Sequence, residues 1–578
     1  MKSGFRVRRR VPKETADRLP SDLHPVLRRV LSARGVRDPE SLDLRLNRMA
    51  PPGTLSGLES ASQMLAEAVQ TGRRILIVGD FDADGATGTA LAVRLLRAFG
   101  AGQVAYRVPN RFEFGYGLTP GLVETLSDEP PDVLVTVDSG IACLAGVRRA
   151  RELGMDVVVT DHHLPGAELP EANAIVNPNL PGDAFPSKAL AGVGVVFYLM
   201  GAVRGLLRDA GWFSGGREMP NLAQYLDLVA LGTVADVVPL DQNNRVLVRQ
   251  GIERIRAGVA SPGVLALLRV GKRDYRHLVA SDLGFTVGPR LNAAGRLEDM
   301  AVGIRCLLSD DPEEARELAE QLDALNRQRK ALQETMHSEA AAQVDALLDD
   351  LGDELPFSLC LHDERWHQGI VGLVAARIKE ATHRPVIAFA PEEEGSAVLK
   401  GSARSIPGLH IRDVLAHVDA TAPGLMRAFG GHAMAAGLSL DRTGLDAFQD
   451  RLEQSVRIFL DGQAPAPEVL TDGELTAAEL NLPFAQALAE LGPWGQRFPE
   501  PLFEGAFEVL DQRVVGGAHL KMVLRPLDGS DPIDGIAFGR LPEDLKGQRS
   551  ARMLYRLDVN HFRGETNPQL MVEHILVE

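Results

Sequence analysis

The apolar run ILIVG is followed directly by the segment DFDADG, in which three aspartates stand two positions apart. In an extended chain, residues two apart point the same way, so Asp80, Asp82 and Asp84 project from one side. Unpaired like charges at this spacing shift one another's pKa, and a divalent cation relieves the repulsion. The segment therefore predicts a metal site, with a solvated acidic turn rich in Asp and Gly as the alternative.

Two further apolar runs end in residues of the same chemistry. PDVLVTVD ends on Asp138, and MDVVVTD ends on Asp161, which is followed by His162 and His163. One Asp after a strand is often only the cap of the next helix, but several such ends together indicate a shared site. Oxygen and imidazole ligands suit Mn²⁺ or Mg²⁺, and they suit Zn²⁺ less in the absence of cysteine ligands.

The segment LDLVALGTVADVVPL adds a fourth acidic region. Asp227 lies inside an apolar helical pattern, where a carboxylate needs a partner, and Asp236 follows nine residues later. Either residue can close the metal site, and the alternative for Asp227 is an ion pair with an arginine. Taken together, the four segments predict a dinuclear metal centre.

The elements that must position these residues follow an α/β pattern. Short β-branched runs alternate with helical stretches from residue 72 to about 308, which predicts a mainly parallel sheet that binds ligands at the carboxyl ends of its strands. Residues 1–56 are charged and weakly periodic, and they predict a cap of short helices. A helix predicted over 312–351, with Asp311 as its N-cap, would extend about 60 Å and connect two domains.

The C-terminal part shows two further patterns. Strand-like runs after the long helix predict a second α/β domain, and short alternating strands after the linker-like segment DGQAPAPE predict a small β-barrel or sandwich. The predicted domains are therefore 1–56, 57–308, 309–352, 353–462 and 463–578.

Composition and charge limit the setting of this chemistry. The 578 residues carry 62 basic and 78 acidic side chains, a formal net charge of −16. That charge disfavours coating duplex DNA but allows a local basic groove. Three distant cysteines match no disulfide framework. Neither a secretory signal nor an apolar stretch of about 20 residues is present, so we expect a cytoplasmic protein without a membrane partner.

The ordered segments DFDADG, TVDSGI, TDHH and LDLVALGTVADVVPL resemble the four motifs of the DHH phosphoesterase superfamily. Over nearly its whole length, the chain resembles the superfamily's single-strand-specific 5′→3′ exonucleases, through VPNRFEFGYG, GPRLNAAGRL, WHQGIVG, KGSARS, FGGHAMAAG and PWGQRFPEPLF. The resemblance implies an α/β fold: a DHH parallel-sheet domain, a long connecting helix, a DHHA1 α/β domain and a C-terminal OB-like β-barrel.

The resemblance also implies a set of site residues. The positions that match metal ligands are Asp82, Asp84, Asp138, His162 and Asp227. His163 matches a histidine that contacts the scissile phosphate or the metal, and Asp161 is expected to support both histidines. Many members carry a histidine where this chain has Val78, and Asp80 is the predicted replacement ligand.

The implied reaction is hydrolysis of a phosphodiester by two cations, Mn²⁺ or Mg²⁺. No P-loop sequence occurs, so no ATP dependence is expected. The implied product is mononucleotides, and the implied setting is DNA repair and recombination.

Substrate contacts are expected in three places. Candidates for the 5′ phosphate and the DNA strand are Arg111, Arg290, Arg296, Ser402, Arg404 and His432. Trp366 with His367 is a candidate lining of a channel that excludes duplex DNA, with a core tryptophan as the alternative. Candidates for strand binding on the OB-like barrel are Lys521, Arg525, Tyr555, Arg556, Phe562 and Arg563, although aromatic residues in strands are more often core.

The implied partners are single-stranded DNA with a 5′ end, the single-stranded DNA-binding protein and a RecQ-type helicase, and we expect a monomer. Two alternatives stay open. One is a non-catalytic scaffold that binds single strands, and the other is a DHH–DHHA1 phosphodiesterase for short oligonucleotides or cyclic dinucleotides. The complete set of ligands disfavours the scaffold, and the added β-rich tail disfavours the phosphodiesterase.

Overall fold

The computed structural model describes residues 5–11, 18–110, 113–350, 355–366, 368–393, 395–431, 433–465, 468–529, 531–545 and 547–576, with only the backbone at 333 and 335–350. The chain divides into two compact units. The main unit comprises residues 10–327 and 471–578, and the small unit comprises residues 1–9 and 328–470.

Short elements make up the N-terminal segment. Strand β1 spans Arg6–Arg9, helix α1 spans Pro25–Ser32, and 3₁₀ turns follow at Pro39–Leu42, Leu46–Arg48 and Pro52–Thr54. The helix and turns agree with the predicted cap of short helices, whereas β1 is a strand that the weak periodicity did not indicate.

A parallel five-stranded sheet forms the centre of the main unit. Its strands are β2 (Arg74–Gly79), β3 (Gln103–Arg107), β4 (Val133–Val137), β5 (Asp156–Thr160) and β6 (Ala174–Val176), in the order β3-β2-β4-β5-β6. The connecting and flanking helices are α2 (Leu58–Thr71), α3 (Ala83–Ala98), α4 (Pro120–Glu124) and α5 (Leu144–Glu152). Every residue of β4 is buried, as expected for a strand covered by helices on both faces.

A helical layer completes this part of the main unit. The helices are α6 (Gly192–Asp209), α7 (Leu226–Ala235), α8 (Gln242–Arg256), α9 (Pro262–Val270), α10 (Ala280–Asp282), α11 (Gly288–Leu297) and α12 (Ala301–Leu308). A π-helix, Leu283–Val287, joins α10 to α11, and 3₁₀ turns lie at Leu222–Tyr225 and Tyr275–His277. Helix α7 is apolar nearly all round, which explains its burial between α3, α6 and α8.

The long helix α13 runs from Pro312 to Asp350 and contributes residues to both units. The small unit has a mixed sheet, β10-β11-β9-β8-β7. Its elements are β7 (Leu359–His362), α14 (Gln368–Thr382), β8 (Val386–Pro391), β9 (Val398–Arg404), α15 (Ile411–Thr421), β10 (Met426–Gly431), β11 (Ala435–Asp441), a 3₁₀ turn (Arg442–Gly444) and α16 (Leu445–Phe459). Strand β12 (Glu468–Thr471) pairs with β1 in a two-stranded sheet.

The C-terminal part of the main unit is a closed barrel, in the order β13-β14-β15-β17-β16. Its elements are α17 (Leu482–Glu490), β13 (Phe503–Val515), β14 (His519–Pro526), β15 (Ile533–Phe538), β16 (Ser550–Phe562) and β17 (Glu565–Leu576), with 3₁₀ turns at Ala477–Glu479 and Pro542–Leu545. Val26, Leu27 and Val30 of α1 share the barrel's apolar core. The buried pair Arg34–Asp472, at 2.7 Å, also ties the N-terminal segment to residues just before the barrel.

The predicted α/β architecture with a C-terminal barrel is confirmed. Among the described residues, no helix combines the length and the apolar composition needed to cross a bilayer.

Candidate metal centre

The carboxyl ends of three adjacent parallel strands position the acidic segments. Asp80 follows β2, Asp138 follows β4 and Asp161 follows β5. The backbone ladder continues one residue beyond each strand, because the amides of Asp80, Asp138 and Asp161 donate to the carbonyls of Val137, Thr160 and Val176. The three side chains therefore meet at one edge of the sheet, where the sequence predicted them.

Helix N-termini hold the other two carboxylates of the first motif. Asp82 caps α3, because its side chain accepts from the amides of Asp84 and Gly85, each at 2.9 Å. Asp84 is 1% exposed and accepts from Gly192 N at 2.6 Å and Val193 N at 2.9 Å, at the start of α6. A Cβ at Gly192 would lie 2.7 Å from Asp138 Cβ, so glycine is what lets α6 approach so closely.

Three carboxylates, of which Asp84 and Asp138 are buried, converge around the imidazole of His162. Its Nε2 lies 3.0 Å from Asp138 Oδ1, 3.5 Å from Asp236 Oδ2 and 3.9 Å from Asp84 Oδ2. Three of these atoms, Asp138 Oδ1, His162 Nε2 and Asp236 Oδ2, are buried and have no hydrogen-bond partner. Native proteins rarely leave buried polar atoms unpaired, and several such atoms facing one another fit a bound cation.

Asp138 also belongs to a second group of candidate ligands. Ligand atoms of Asp80, Asp82 and Asp138 lie within 4.8 Å of one another, as do those of Asp84, His162 and Asp236. A third overlapping group contains Asp138, His162 and His163. Because Asp138 Oδ1 also lies 3.0 Å from His162 Nε2, the groups form one continuous cluster of candidate metal ligands.

Burial and mutual repulsion favour the protonated form of four carboxylates in the cluster. Burial, followed by the charge of Asp82, raises the pKa of both Asp80 and Asp236 to about 7. Burial and neighbouring aspartates also hold the pKa values of Asp84 and Asp138 well above the usual range. A cation that replaces these protons would relieve both causes, which agrees with the unpaired ligand atoms.

The two histidines have opposite protonation behaviour. Burial, with the charge of His163, lowers the pKa of His162 to about 4, so its ring is neutral at pH 7 and offers a lone pair. The hydrogen bond between His163 Nδ1 and Asp161 Oδ1, at 2.8 Å, raises the pKa of His163 to about 9. At pH 7 His162 is therefore a neutral ring that can bind a metal, and His163 is a cation.

Asp161 fixes both histidines from behind. Its Oδ1 accepts from the amides of His162 at 2.7 Å and His163 at 3.0 Å, and its Oδ2 accepts from Ile141 N at 2.9 Å. Burial acts to raise the pKa of Asp161, but the hydrogen bonds from His163 outweigh it and the pKa is lowered. The carboxylate therefore stays charged and orients the ring of His163.

The structure does not bring Asp227 to this cluster, which corrects the predicted ligand set. Asp227 and Asp236 lie nine residues apart on and just after α7, a rise of about 13 Å, so only one of them can reach His162. Asp236 does so, whereas the buried Oδ2 of Asp227 accepts from Ser261 N at 2.7 Å. That amide, rather than the alternative arginine, is the hydrogen-bond partner of Asp227.

Models of three protein families match the chain: the N-terminal domain of the DHH family at residues 74–233, the DHHA1 domain at 354–457 and the RecJ OB domain at 471–574. The single-stranded-DNA-specific exonuclease RecJ of Escherichia coli (strain K12) is 52% identical over 580 residues, which cover 100% of both chains. The chain belongs to the RecJ family.

Solved RecJ structures support the same assignment. RecJ from Thermus thermophilus in complex with Mn²⁺ superimposes with a TM-score of 0.76 and 32% identity, covering 99% of this chain and 79% of that chain. The complex of the same protein with Mg²⁺ gives a TM-score of 0.70 and 30% identity, covering 99% and 78%. The predicted DHH, DHHA1 and OB-like fold is confirmed, while the exact domain boundaries stay predictions.

Several residues beside the cluster of this RecJ family member were not predicted from the sequence. Asn177 Nδ2 donates to the carbonyl of His163 at 2.9 Å, and Asn179 Nδ2 donates to that of His162 at 2.6 Å. Both follow β6, and the run AIVNPN has the same pattern of apolar strand and polar end as the predicted motifs. The hydroxyl of Tyr116 donates to the carbonyl of Asp138 at 3.4 Å, a contact between distant segments that the sequence does not signal.

The predicted 5′-phosphate residues separate into distinct environments. Arg290 pairs with Asp323 at 2.8 Å, whereas Arg296 is exposed and has no partner among the described residues. Ser402 and Arg404 lie together on β9, with Arg404 Nη1 donating to Ser402 Oγ at 3.0 Å. Arg111, His432 and His367 lie outside the described residues. Trp366 is buried in the core of the small unit, which agrees with the alternative interpretation.

On the RecJ OB domain, most predicted strand-binding residues are engaged with the barrel itself. Tyr555 is fully buried between Phe503 and Phe507, so its ring cannot stack on a base, and that prediction is corrected. Three basic residues form ion pairs with nearby carboxylates: Lys521–Asp534, Arg525–Glu508, Arg556–Glu500 and Arg556–Glu573. Glu500 lies just before the barrel, and the other three carboxylates lie on its strands. Phe562 and Arg563 remain exposed at the β16–β17 turn.

Proposed function

We propose that the chain is a metal-dependent exonuclease that degrades single-stranded DNA from its 5′ end to mononucleotides, in DNA repair and recombination. The observation that carries the proposal is the convergence of unpaired, buried Asp138 Oδ1, His162 Nε2 and Asp236 Oδ2, in a chain that belongs to the RecJ family. The same ligands disfavour a non-catalytic scaffold, which would have no need of them.

Two groups of this chain's side chains would hold Mn²⁺ or Mg²⁺. Asp84, Asp138, His162 and Asp236 form one group, and Asp80 and Asp82 form the second with a shared Asp138. When bound, such cations lower the pKa of a water molecule and offset the negative charge that develops on the phosphate. The high proportion of carboxylate oxygens favours these two ions over Zn²⁺.

Side chains of the protein would orient the phosphate of the substrate and donate a proton in a hydrogen bond to it. His163, protonated at pH 7, would donate a hydrogen bond to a phosphate oxygen. Asp161 keeps that ring in one orientation, and Asp82 is itself fixed by the first turn of α3. Water is the nucleophile in this proposal, so no covalent intermediate with a side chain is expected.

The preference for a 5′ end would come from Ser402 and Arg404 in the small unit. Arg404 has no carboxylate partner among the described residues, and burial lowers its pKa, so an anionic ligand would compensate its charge. A Cβ at Gly372 would lie 2.8 Å from Arg404 Nη2, which places the guanidinium against the first turns of α14. Guanidinium, hydroxyl and a nearby helix N-terminus suit a terminal phosphate.

The test uses single strands labelled at one end and incubated with Mg²⁺, Mn²⁺ or EDTA. We expect the 5′ label to appear at once as a mononucleotide and the 3′-labelled strand to shorten progressively, in both metals and not in EDTA. Cleavage confined to dinucleotides or cyclic dinucleotides would replace this proposal with the phosphodiesterase alternative. Comparing 5′-phosphate with 5′-hydroxyl strands, for wild type and Ser402→Ala, tests the terminal site.

We also propose a cytoplasmic monomer that acts with the single-stranded DNA-binding protein and a RecQ-type helicase. Membership of the RecJ family supports these partners, and no surface of the described residues is assigned to them. Sedimentation of the purified chain tests the monomer, and co-sedimentation with each partner tests the contacts.

A further inference from the structure

An aromatic side chain stands in solvent on an unusual turn of helix near the metal centre. Phe285 is 86% exposed, which is more than any other large apolar side chain among the described residues. It lies in the π-helix Leu283–Val287, between α10 and α11. Such turns are rare and frequently occur at functional sites, so both the ring and its backbone are unusual.

The π-helix and α11 run alongside the metal centre. A Cβ at Gly288 would lie 3.1 Å from Ala235 Cβ, and Ala235 directly precedes Asp236. At the other end of the segment, Asn292 Oδ1 accepts from Ala83 N at 2.7 Å, next to Asp82 and Asp84. The segment therefore forms a wall that touches the neighbours of ligands in both candidate groups.

Two polar groups follow Phe285 along this wall. Within α11, residues 289, 292 and 296 are spaced three and four apart and lie on one side of the helix, and Phe285 lies in the π-helix just before them. From Phe285 to Arg296 the wall extends about 16 Å. Arg296 is exposed and has no partner among the described residues, so an aromatic ring stands toward one end of the wall and a free cation toward the other.

We propose that Phe285 is a stacking platform for a nucleobase of the single strand bound at the metal centre. The inference rests on the proposed function and adds a subsite to it. An exposed ring and an unpaired guanidinium stand on a wall whose Asn292 contacts the backbone between Asp82 and Asp84. This is the combination that binds single strands: stacking for bases and charge for phosphates. Every base has a flat face, so this contact favours no particular sequence.

The experiment compares Phe285→Ala with Phe285→Trp in the full chain on 5′-phosphorylated oligodeoxythymidylates of increasing length. With Mn²⁺, we expect Phe285→Ala to raise KM about 5- to 30-fold on strands long enough to reach the platform. KM on the shortest strands and kcat at saturation should stay within about twofold of wild type. Phe285→Trp should restore KM, because a larger ring keeps the stacking face.

Controls separate a stacking role from a general defect. Ile458→Ala removes a side chain that is 61% exposed in the small unit and should leave KM unchanged at every length. Unchanged Mn²⁺ affinity and thermal stability of Phe285→Ala would show that the centre and fold are intact. An unchanged KM at every length, in a variant of a wild-type protein that degrades the strand, would overturn the platform and leave the proposed function standing.

A wild-type protein that fails to cleave would instead overturn the proposed function. Equilibrium binding of a fluorescent single strand would then test Phe285 by itself. The same loss of affinity in Phe285→Ala would support the platform, and equal affinity would reject it. Binding of protein rather than DNA to this face is rejected if the loss appears with purified DNA alone.

Discussion

The metal centre and the C-terminal barrel both gather charged side chains, but folding leaves those charges in different states. Around His162, carboxylate oxygens are buried next to one another, and Asp138 Oδ1 and Asp236 Oδ2 lack any hydrogen-bond partner. On the barrel, Lys521, Arg525 and Arg556 each lie within ion-pair distance of a carboxylate. The first arrangement costs folding free energy, and the second is neutral or weakly stabilising.

The contrast teaches where a ligand is needed. A buried charge without a partner is destabilising unless an external ion completes it, so its retention indicates a binding role. An exposed cation already paired with a carboxylate gains less from a phosphate, because the existing pair must first be broken. By this criterion Arg296 and Arg404 are stronger candidates for DNA contacts than Arg556.

The largest expected effect comes from removing a ligand at the centre. Asp236→Ala should lower kcat at least about 1000-fold and weaken Mn²⁺ binding, because it removes an oxygen that faces His162. Asp227→Ala is the matched control on the same helix and should keep most activity. It should instead lose about 1–3 kcal/mol of unfolding free energy, since the amide of Ser261 loses its acceptor.

Calorimetry with Mn²⁺ and thermal melts in EDTA measure both changes. Asp236→Ala should melt at an equal or higher temperature than wild type in EDTA, because one repelling carboxylate is gone. Loss of activity in Asp227→Ala with its fold intact would show that Asp227, and not Asp236, completes the site.

Sequence patterns predicted the sheet-edge residues well, because the end of a strand is a local signal. Asp80, Asp138, Asp161 and His162 each follow an apolar run, and parallel strands bring those ends together. The choice between Asp227 and Asp236 was not local, since it depends on how α7 is rotated and where its C-terminus lies. The sequence therefore offered both residues and could not choose from physical pattern alone.

On the barrel, the sequence predicted the strands but not the orientation of their side chains. The strands were predicted from alternating apolar and polar residues, and that pattern does not state which face of β16 points inward. Tyr555 turned out to be core, and Arg556 faces Glu500 and Glu573. Glu500 lies more than 50 residues away in the chain, so no local pattern could indicate the pairing.

The next effect concerns the support of the histidines. Asp161→Asn should lower kcat about 10- to 100-fold, the usual cost of losing a residue that orients a ligand. The pKa of His163 should fall from about 9, because the hydrogen bond with Asp161 is what raises it. The alkaline limb of the pH profile should therefore move to lower pH, whereas a purely structural role for Asp161 would reduce activity equally at all pH values.

Stability should depend on pH in opposite ways without and with metal. The pKa values of Asp80 and Asp236 are about 7 in the folded protein, against a usual value near 4. Between those pH values the folded protein holds protons that the unfolded chain has lost, so the stability that these groups contribute at low pH is lost as pH rises through 7. His162 acts in the opposite sense between about 4 and 6.5, but it is one group against several carboxylates. In EDTA the melting temperature should therefore fall from pH 5 to pH 8.

Excess Mn²⁺ should reverse that slope, because the ion binds deprotonated ligands and its affinity rises with pH. Asp236→Asn should flatten the dependence in EDTA, since it removes one of the titrating groups. A melting temperature that rises with pH in EDTA would contradict the raised pKa values of Asp80 and Asp236. It would also contradict the conclusion that the carboxylates around His162 destabilise the fold when no metal is bound.

A smaller effect is expected on the barrel. Arg556→Met should cost about 1 kcal/mol of unfolding free energy, because its pairs with Glu500 and Glu573 are partly exposed and screened by solvent. KM for single-stranded DNA should change less than twofold. A large rise in KM, with a steep dependence on salt, would show that Arg556 leaves its carboxylates to bind phosphate and would weaken the comparison between paired and unpaired cations.

The smallest effect tests backbone strain beside the centre. Val237 has a φ of 58° directly after Asp236, a conformation that costs a β-branched residue about 1–2 kcal/mol. Its side chain is 64% exposed, so little burial is lost on truncation. Val237→Gly should relieve the strain and raise the unfolding free energy by up to about 1 kcal/mol, since glycine's larger unfolded-state entropy offsets part of the gain. Mn²⁺ affinity should fall about two- to threefold, because a freer backbone holds Asp236 less firmly against His162. A variant that is less stable and unchanged in Mn²⁺ affinity would show that the backbone strain at Val237 does not help to position Asp236.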